Sequence, residues 1–356
     1  MPLVRNASVK FVSPPKGGYP VEGQHLRYYD SEQIDIETVD LRGGVLLRNL
    51  VVSIDPYQRG RMREPEIKSY ATPFELSKPI INFGVGRVIR SDNPNFKPGD
   101  EIFSGQIGFE EYTVLSSKQL KAHNVRVINS DQSVKIPLSK WVGAAGMPGL
   151  TAYHGFYEIG KPQKGEIIFI SAASGAVGQM VGQLAKRAGL KVVGSCGSDE
   201  KVEFLKKELE FDHVFNYKTC KTLEELQKVG GVDIYWENVG GKTLDDVLLV
   251  ANKGARIVAC GMISQYNASG ELYGVKNIIQ VIAKSITIRG FIIGDPETWA
   301  SAAEGFYSSI PKWLASGEIK SKEDITVGLD RAIGTLIGIF KGQNFGKAVV
   351  EIWDGK

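Results

Sequence analysis

Only three cysteines occur in the 356-residue sequence, Cys196, Cys220 and Cys260, and none stands at a C-x2-C spacing. That excludes a disulfide framework and a four-cysteine zinc lobe, and it fits a reducing compartment. Histidine is almost as scarce, with His25, His123, His154 and His213. No Cys or Glu stands by them at a spacing that would complete a catalytic zinc site. No metal is expected, and each histidine reads as a packed or surface side chain. An excess of one charge is missing as well. Lysine and arginine number 43 against 40 aspartates and glutamates, a formal net charge of +3. Nucleic-acid or membrane-surface binding needs a more concentrated positive field. The densest basic cluster, Arg59-Gly60-Arg61-Met62-Arg63, reads as a solvated or ion-paired turn. Long hydrophobic runs are absent too. The longest, around Ala332 to Phe340, falls far short of the roughly 20 residues of a membrane span. Met1 to Asn6 has no apolar run behind its charge, and Trp353 to Lys356 carries no lipidation or retrieval motif. A soluble cytoplasmic protein is expected. There is no Gly-x-Ser-x-Gly elbow, which weakens any serine-hydrolase reading.

What is present is length and alternation. At about 150 residues per domain, the chain has room for two. The first third carries β-branched runs such as Leu46 to Val52 and Gly86 to Ile89, cut by turns at Asn93-Pro94 and Lys97 to Asp100. Helical periodicity is weak there, so a mostly β module is expected. After about residue 130 the pattern changes. Short apolar runs at 166–170, 191–195, 213–216, 232–236, 255–259 and 286–291 alternate with helical stretches. Six strands with helical crossovers imply an α/β fold with a doubly wound parallel sheet, whose ligand crevice lies beyond the strand carboxyl ends. We place this nucleotide-binding type of domain at 131–314, and the β module at 1–130, completed by 315–356.

Between the first strand of that series and its helix lies Ala172-Ala173-Ser174-Gly175-Ala176-Val177-Gly178. Glycine at 175 lets backbone approach a pyrophosphate, and glycine at 178 lets the helix pack tightly on the sheet. This is the dinucleotide fingerprint with its first glycine replaced by alanine. An NAD site typically has an acidic residue about 20 residues further on, to bind the ribose 2′-hydroxyl. Here that place holds Ser195-Cys196-Gly197-Ser198, with no acid until Asp199. Lys201 supplies a cation and Tyr217 a hydroxyl for a 2′-phosphate, which favours NADP. The plainer alternative is that Lys201 is an ordinary first-turn lysine.

These residues resemble a known family. Ser53 to Tyr57, Pro148 to Tyr153, Ala172 to Gly178, Gly197 to Lys201, Phe215 to Lys218, Glu237 to Gly241, Cys260 to Asn267 and Gly342 to Lys347 occur in its order. The chain resembles the zinc-independent medium-chain dehydrogenase/reductases. Within them it is most similar to the leukotriene B4 dehydrogenase/prostaglandin reductase and plant alkenal double-bond reductase group. The resemblance implies a Rossmann domain beside a GroES-like catalytic domain, and usually a homodimer. It also implies NADPH-dependent reduction of the carbon–carbon double bond of small-molecule enals and enones. At matching positions, Gly175, Ala176, Val177 and Gly178 are expected to hold the pyrophosphate, and Lys201 with Tyr217 the 2′-phosphate. Thr151, Asn238, Cys260, Gly261, Met262, Ile263, Ser264, Tyr266, the strand Phe291-Ile292-Ile293, and Asn344 are expected to line the ribose and nicotinamide. For Asn238 and Asn344, turn geometry is the competing explanation.

Tyr57 and Tyr266 are expected to face substrate. Hydride addition to the β-carbon builds charge on the carbonyl oxygen, and a hydroxyl donor aimed at that oxygen stabilises it. Tyr266 is the first candidate, with the ribose hydroxyl. Tyr57 is the second, sharing the oxygen or walling the pocket. The chain departs from the family pattern at Trp236, where Phe or Tyr is commoner, at Gln58 and at His154. The competing readings are a quinone oxidoreductase and a nucleotide-binding protein without relevant catalysis.

Overall fold

The computed structural model describes residues 3–122, 124–131 and 134–353. His123 and the outermost terminal residues, on which some expectations fell, lie outside the described residues. The chain divides into two units. One comprises the residues up to Gly146 together with those from Glu323 onward, and the other comprises Met147–Lys322. These seams fall later than residues 130 and 314. The helix Leu138–Trp141 and the strand Glu323–Val327 belong together in the first unit, where Lys140 and Glu323 pair at 3.2 Å.

In the second unit, strands Ile167–Ile170, Lys191–Cys196, His213–Asn216, Val232–Glu237, Ala251–Ala259 and Thr287–Gly290 form one parallel sheet. Numbered in chain order, they lie side by side as third, second, first, fourth, fifth and sixth. This is the expected doubly wound sheet, and the order reverses beside the first strand. The inner strands are continuous apolar runs because helices cover both faces. Phe169, Phe215 and Tyr235 stack at their centre, with ring centroids 5.2 and 6.0 Å apart. The sixth strand ends at Gly290, where its register with Ala259 stops. Phe291, Ile292 and Ile293 therefore sit in the loop after it rather than in a strand, since the fifth strand has left the ladder and offers no further partner.

The first unit is mostly β, as expected. Its long strand Val45–Ser53 pairs antiparallel with Ile81–Ser91, Tyr112–Leu115 and Lys347–Glu351, and the last of these runs parallel to Glu323–Val327. The chain thus returns from beyond residue 322 into the first sheet. Helices in this unit are short, except for Ala332–Phe340, whose apolar side joins the core through Ile333, Leu336 and Ile339.

One expectation fails here. Arg61 and Arg63 of the Arg59–Arg63 cluster are held by backbone carbonyls, not simply solvated. Arg61 is buried, donates to the carbonyls of Thr72 and Ile81 at 3.0 and 2.7 Å, and lies over the Phe74 ring. Arg63 donates to the carbonyls of Gly60, Ile67 and Ala71. A guanidinium has five donors, and here loop carbonyls take them in place of carboxylates.

Candidate functional site

All six strands of the second unit are parallel, so their carboxyl ends share one edge. The loops that leave this edge carry most of the residues singled out above.

After Ile170 the chain turns sharply. Ala172 has a φ of 48°, in the left-handed region that L residues enter only at a cost. Its carbonyl accepts from Gly175 N at 2.9 Å, and Ala173 N bonds Ser195 O on the next strand at 2.9 Å. A Cβ at position 178 would lie 2.7 Å from both Ala172 O and Ala173 Cα, so glycine there is a requirement of the turn. The ten-residue helix Gly178–Arg187 follows. Among the described residues, the N–H groups of Ala176 and Val177 have no acceptor. Unpaired donors at a helix N-terminus suit an anion, so this loop fits a pyrophosphate.

At the end of the second strand, Ser198 caps the helix Asp199–Lys207 by accepting from Lys201 N. Asp199, the first of two acids in this helix's first turn, accepts from Asn216 Nδ2 at 2.8 Å. The half-exposed Tyr217 ring lies against Gly197, where an added Cβ would stand 3.0 Å from the phenol oxygen. Burial pushes the Cys196 thiol up to about 11, against a downward pull from the Lys201 ammonium. Tyr217 thus lies against Gly197, and Ser198 beside that glycine caps the helix that carries Lys201 in its first turn. That donor set fits a phosphate.

The fourth strand ends in Tyr235-Trp236-Glu237, and Asn238 follows it. Asn238 donates to Ser171 O at 2.7 Å, accepts from the Trp236 indole at 3.2 Å, and bonds Ser171 Oγ through its backbone N–H. Its side chain ties the first strand to the fourth. Glu237 escaped the sequence reading. It is fully buried, and its Oε1 accepts from Tyr235 Oη, Val239 N and Gly240 N at 2.6–2.8 Å. Burial raises its pKa above the ordinary carboxyl range. The only sequence signal was an acid followed by Asn-Val-Gly-Gly, which reads equally well as a turn.

Cys260 to Tyr266 is laced onto this strand end. Cys260 N and Gly261 N donate to Glu237 O, Ile263 N to Asn238 O, and Ser264 N to Val239 O, all at 3.0–3.1 Å. Burial pushes the Cys260 thiol up to about 12. Tyr266 Oη accepts from Met262 N at 3.2 Å, and burial raises its pKa. The phenol keeps its hydrogen and has it to donate. Phe291 meets His154, with ring centroids 5.4 Å apart, and Trp236 edge-on. Thr151 is buried, its hydroxyl bonded back to Met147 O within its own helix.

Tyr57 and Asn344 belong to the first unit. Tyr57 donates to Asn82 Oδ1 at 2.6 Å. Burial drives its pKa far up, opposed by the nearby Arg61 guanidinium. Gln58 turns inward, fully buried, and its amide oxygen accepts from Asp55 N. Asn344 closes its own turn by donating to Gly346 O at 2.7 Å.

His25 accepts from Val21 N, His154 packs near Ser301, and His213 bonds Glu225. Among the described residues, no three His, Cys, Asp or Glu side chains are grouped to hold a metal ion.

The family model described as zinc-binding dehydrogenase matches residues 176–308, and one described as the N-terminal domain of oxidoreductase matches 29–123. NADP-dependent oxidoreductase RED1 of Cochliobolus heterostrophus is 46% identical, over 99% of each chain. The NADP-dependent 2-alkenal reductase of Nicotiana tabacum is 42% identical, over 94% of each. A crystal structure of CurA from Vibrio vulnificus in complex with NADPH superposes with a TM-score of 0.86 at 35% identity, covering 98% of this chain and 99% of that one.

Proposed function

Because this chain belongs to the zinc-independent medium-chain dehydrogenase/reductases, in the alkenal double-bond reductase group, we propose that it is an NADPH-dependent enal and enone reductase. When bound, NADPH supplies the hydride. The residues of this chain do the rest. The amides of Ala176 and Val177 receive the pyrophosphate, and Ser198, Lys201 and Tyr217 receive the 2′-phosphate. Asn238, held by Trp236 and Ser171, and the loop Cys260 to Ser264 give the ribose and nicotinamide a fixed wall, with Thr151, Phe291, Ile292 and Ile293 completing it. Tyr57 belongs to the substrate pocket.

One observation carries the chemistry. Tyr266 accepts from Met262 N and still holds its own hydrogen. A neutral phenol so oriented can donate to a substrate oxygen as charge develops there, without a metal.

A homodimer goes with this reading. Among the described residues, the strand Thr287–Gly290 has a neighbour on one side only, and it is exposed along its length. Ile288 on it, and Ile278, Ile279 and Ile282 a few residues before it in sequence, are exposed. An open, exposed strand edge of this kind invites a second copy. No helix among the described residues is long and apolar enough to cross a membrane, and a cytoplasmic site of action is proposed.

The deciding experiment follows NADPH consumption with a graded set of enals, enones and quinones, with products identified. Saturated aldehydes and ketones are the expected products. Turnover of quinones with none of enals would move the assignment to a quinone oxidoreductase, and NADPH binding without any turnover would end the catalytic reading.

A further inference from the structure

Four side chains of the first unit form one continuous run of polar contacts that ends on Tyr57. Lys347 is 2% exposed. Its ammonium donates to the carbonyls of Ile54 at 2.5 Å and Ala348 at 2.8 Å, and pairs with Asp55 Oδ1 at 3.2 Å. All three of its hydrogens are thereby placed. Asp55 is 4% exposed, and its Oδ2 accepts from Ser53 Oγ and, at 2.9 Å, from Asn82 Nδ2. Asn82 is fully buried and donates its other amide hydrogen to Ser53 O at 2.8 Å. The Tyr57 hydroxyl donates to the remaining atom, Asn82 Oδ1, at 2.6 Å.

The direction of each bond is dictated from the cation end. A carboxylate opposite an ammonium accepts and does not donate. Asn82 must therefore turn its NH2 group toward Asp55, and Ser53 O, a pure acceptor, requires the same orientation. That leaves the amide oxygen facing Tyr57, and the phenol has only one way to bond it. A buried ion pair is weak evidence for stability, because well-packed apolar replacements often serve as well. Here it fixes which way a hydroxyl points.

We propose that Asn82, held by the buried Asp55–Lys347 pair, is a positioning residue that fixes the Tyr57 hydroxyl hydrogen, so that Tyr57 orients substrate as a rigid ring and donates no hydrogen bond to it. This rests on the preceding reading of Tyr57 as a substrate-pocket residue.

The test uses the full chain without cofactor, labelled with tyrosine carrying 13C at Cζ, in equal parts H2O and D2O. A hydroxyl held in this way exchanges slowly. The Tyr57 resonance, identified by its loss in Tyr57→Phe, is expected as an isotope-split doublet. Asn82→Leu is expected to collapse the doublet to one line. The double variant Asp55→Asn/Lys347→Met removes both charges together, strands neither, and is expected to do the same. With NADPH and 2-hexenal as the probe pair, Asn82→Leu is expected to lower kcat/KM at least fivefold, with the loss carried in KM. A single line for Tyr57 in the unaltered chain, a doublet that survives Asn82→Leu, or a loss carried in kcat overturns the proposal. If the unaltered chain turns over no enal at all, the proposed reaction fails, and the splitting alone then decides the positioning role.

Discussion

Replacing Gly155 by alanine tests whether the aromatic wall beneath the fourth strand's end is as tight as it looks. A Cβ at this position would stand 2.5 Å from Trp236 Cη2 and 2.9 Å from Phe291 Cζ. Trp236 is fully buried and Phe291 is held between it and His154, so neither ring has an easy retreat. Overpacking of this kind costs about 1–3 kcal/mol. For a unit of this size, 2 kcal/mol corresponds to roughly 4–8 °C in Tm. The second variant, Trp236→Phe, replaces the indole by a single ring and removes the atoms that the new methyl would strike. Alone, it leaves a cavity and destabilises as well. Combined with Gly155→Ala it is expected to recover part of the loss, giving a favourable coupling of at least about 1 kcal/mol. Scanning calorimetry of the four proteins without nucleotide measures the cycle. A Gly155→Ala protein that melts within a degree of the parent, or a double variant whose losses simply add, would refute the steric argument.

Tyr266→Phe is expected to lower kcat at least tenfold while NADPH affinity, read by fluorescence titration, stays within twofold; an unchanged kcat removes Tyr266 from the reaction. Lys201→Ala is expected to weaken NADPH far more than NADH, and equal weakening would cancel the 2′-phosphate assignment. Ile282, 78% exposed, should become a dimer breaker as Ile282→Asp, and sedimentation showing no change in mass would argue against Ile282 as part of the contact. Burial pushes the Glu110 carboxyl up to about 7. From about pH 4.5 to 7 the folded chain therefore keeps a proton that the unfolded chain has lost. Stability contributed by this group falls as pH rises, by at most about 3 kcal/mol. Urea unfolding across that window should show a shallower slope for Glu110→Gln; an identical slope would mean that Glu110 titrates normally.

The six-stranded sheet was legible because strands buried on both faces are unbroken apolar runs, and all six runs end within a residue of their strands. The sixth misled because Thr287–Gly290 is exposed, so its apolar continuation into Phe291 marked a loop wall rather than more strand. The phosphate loop was legible for a local reason, since glycine spacing and the turn it permits are neighbours in sequence. Arg61 was not, because carbonyl partners leave no trace in the composition of a basic cluster. Least legible was the path from Lys347 to Tyr57. Lys347 meets a carbonyl 293 positions away, and only the return of the chain into the first sheet brings the two together.

That return has a consequence for how the protein is made. The nucleotide sheet lies within one unbroken stretch of chain, so a nascent polypeptide has everything needed to close it. The first sheet, begun much earlier, must wait with one edge of Val45–Ser53 uncovered until Lys347–Glu351 leaves the ribosome. Throughout that interval Asp55 has no ammonium to meet, and an unprotected strand edge is available to strangers. A chain stopped short of Lys347 would carry a finished nucleotide sheet and an unfinished first sheet, an obvious client for chaperones.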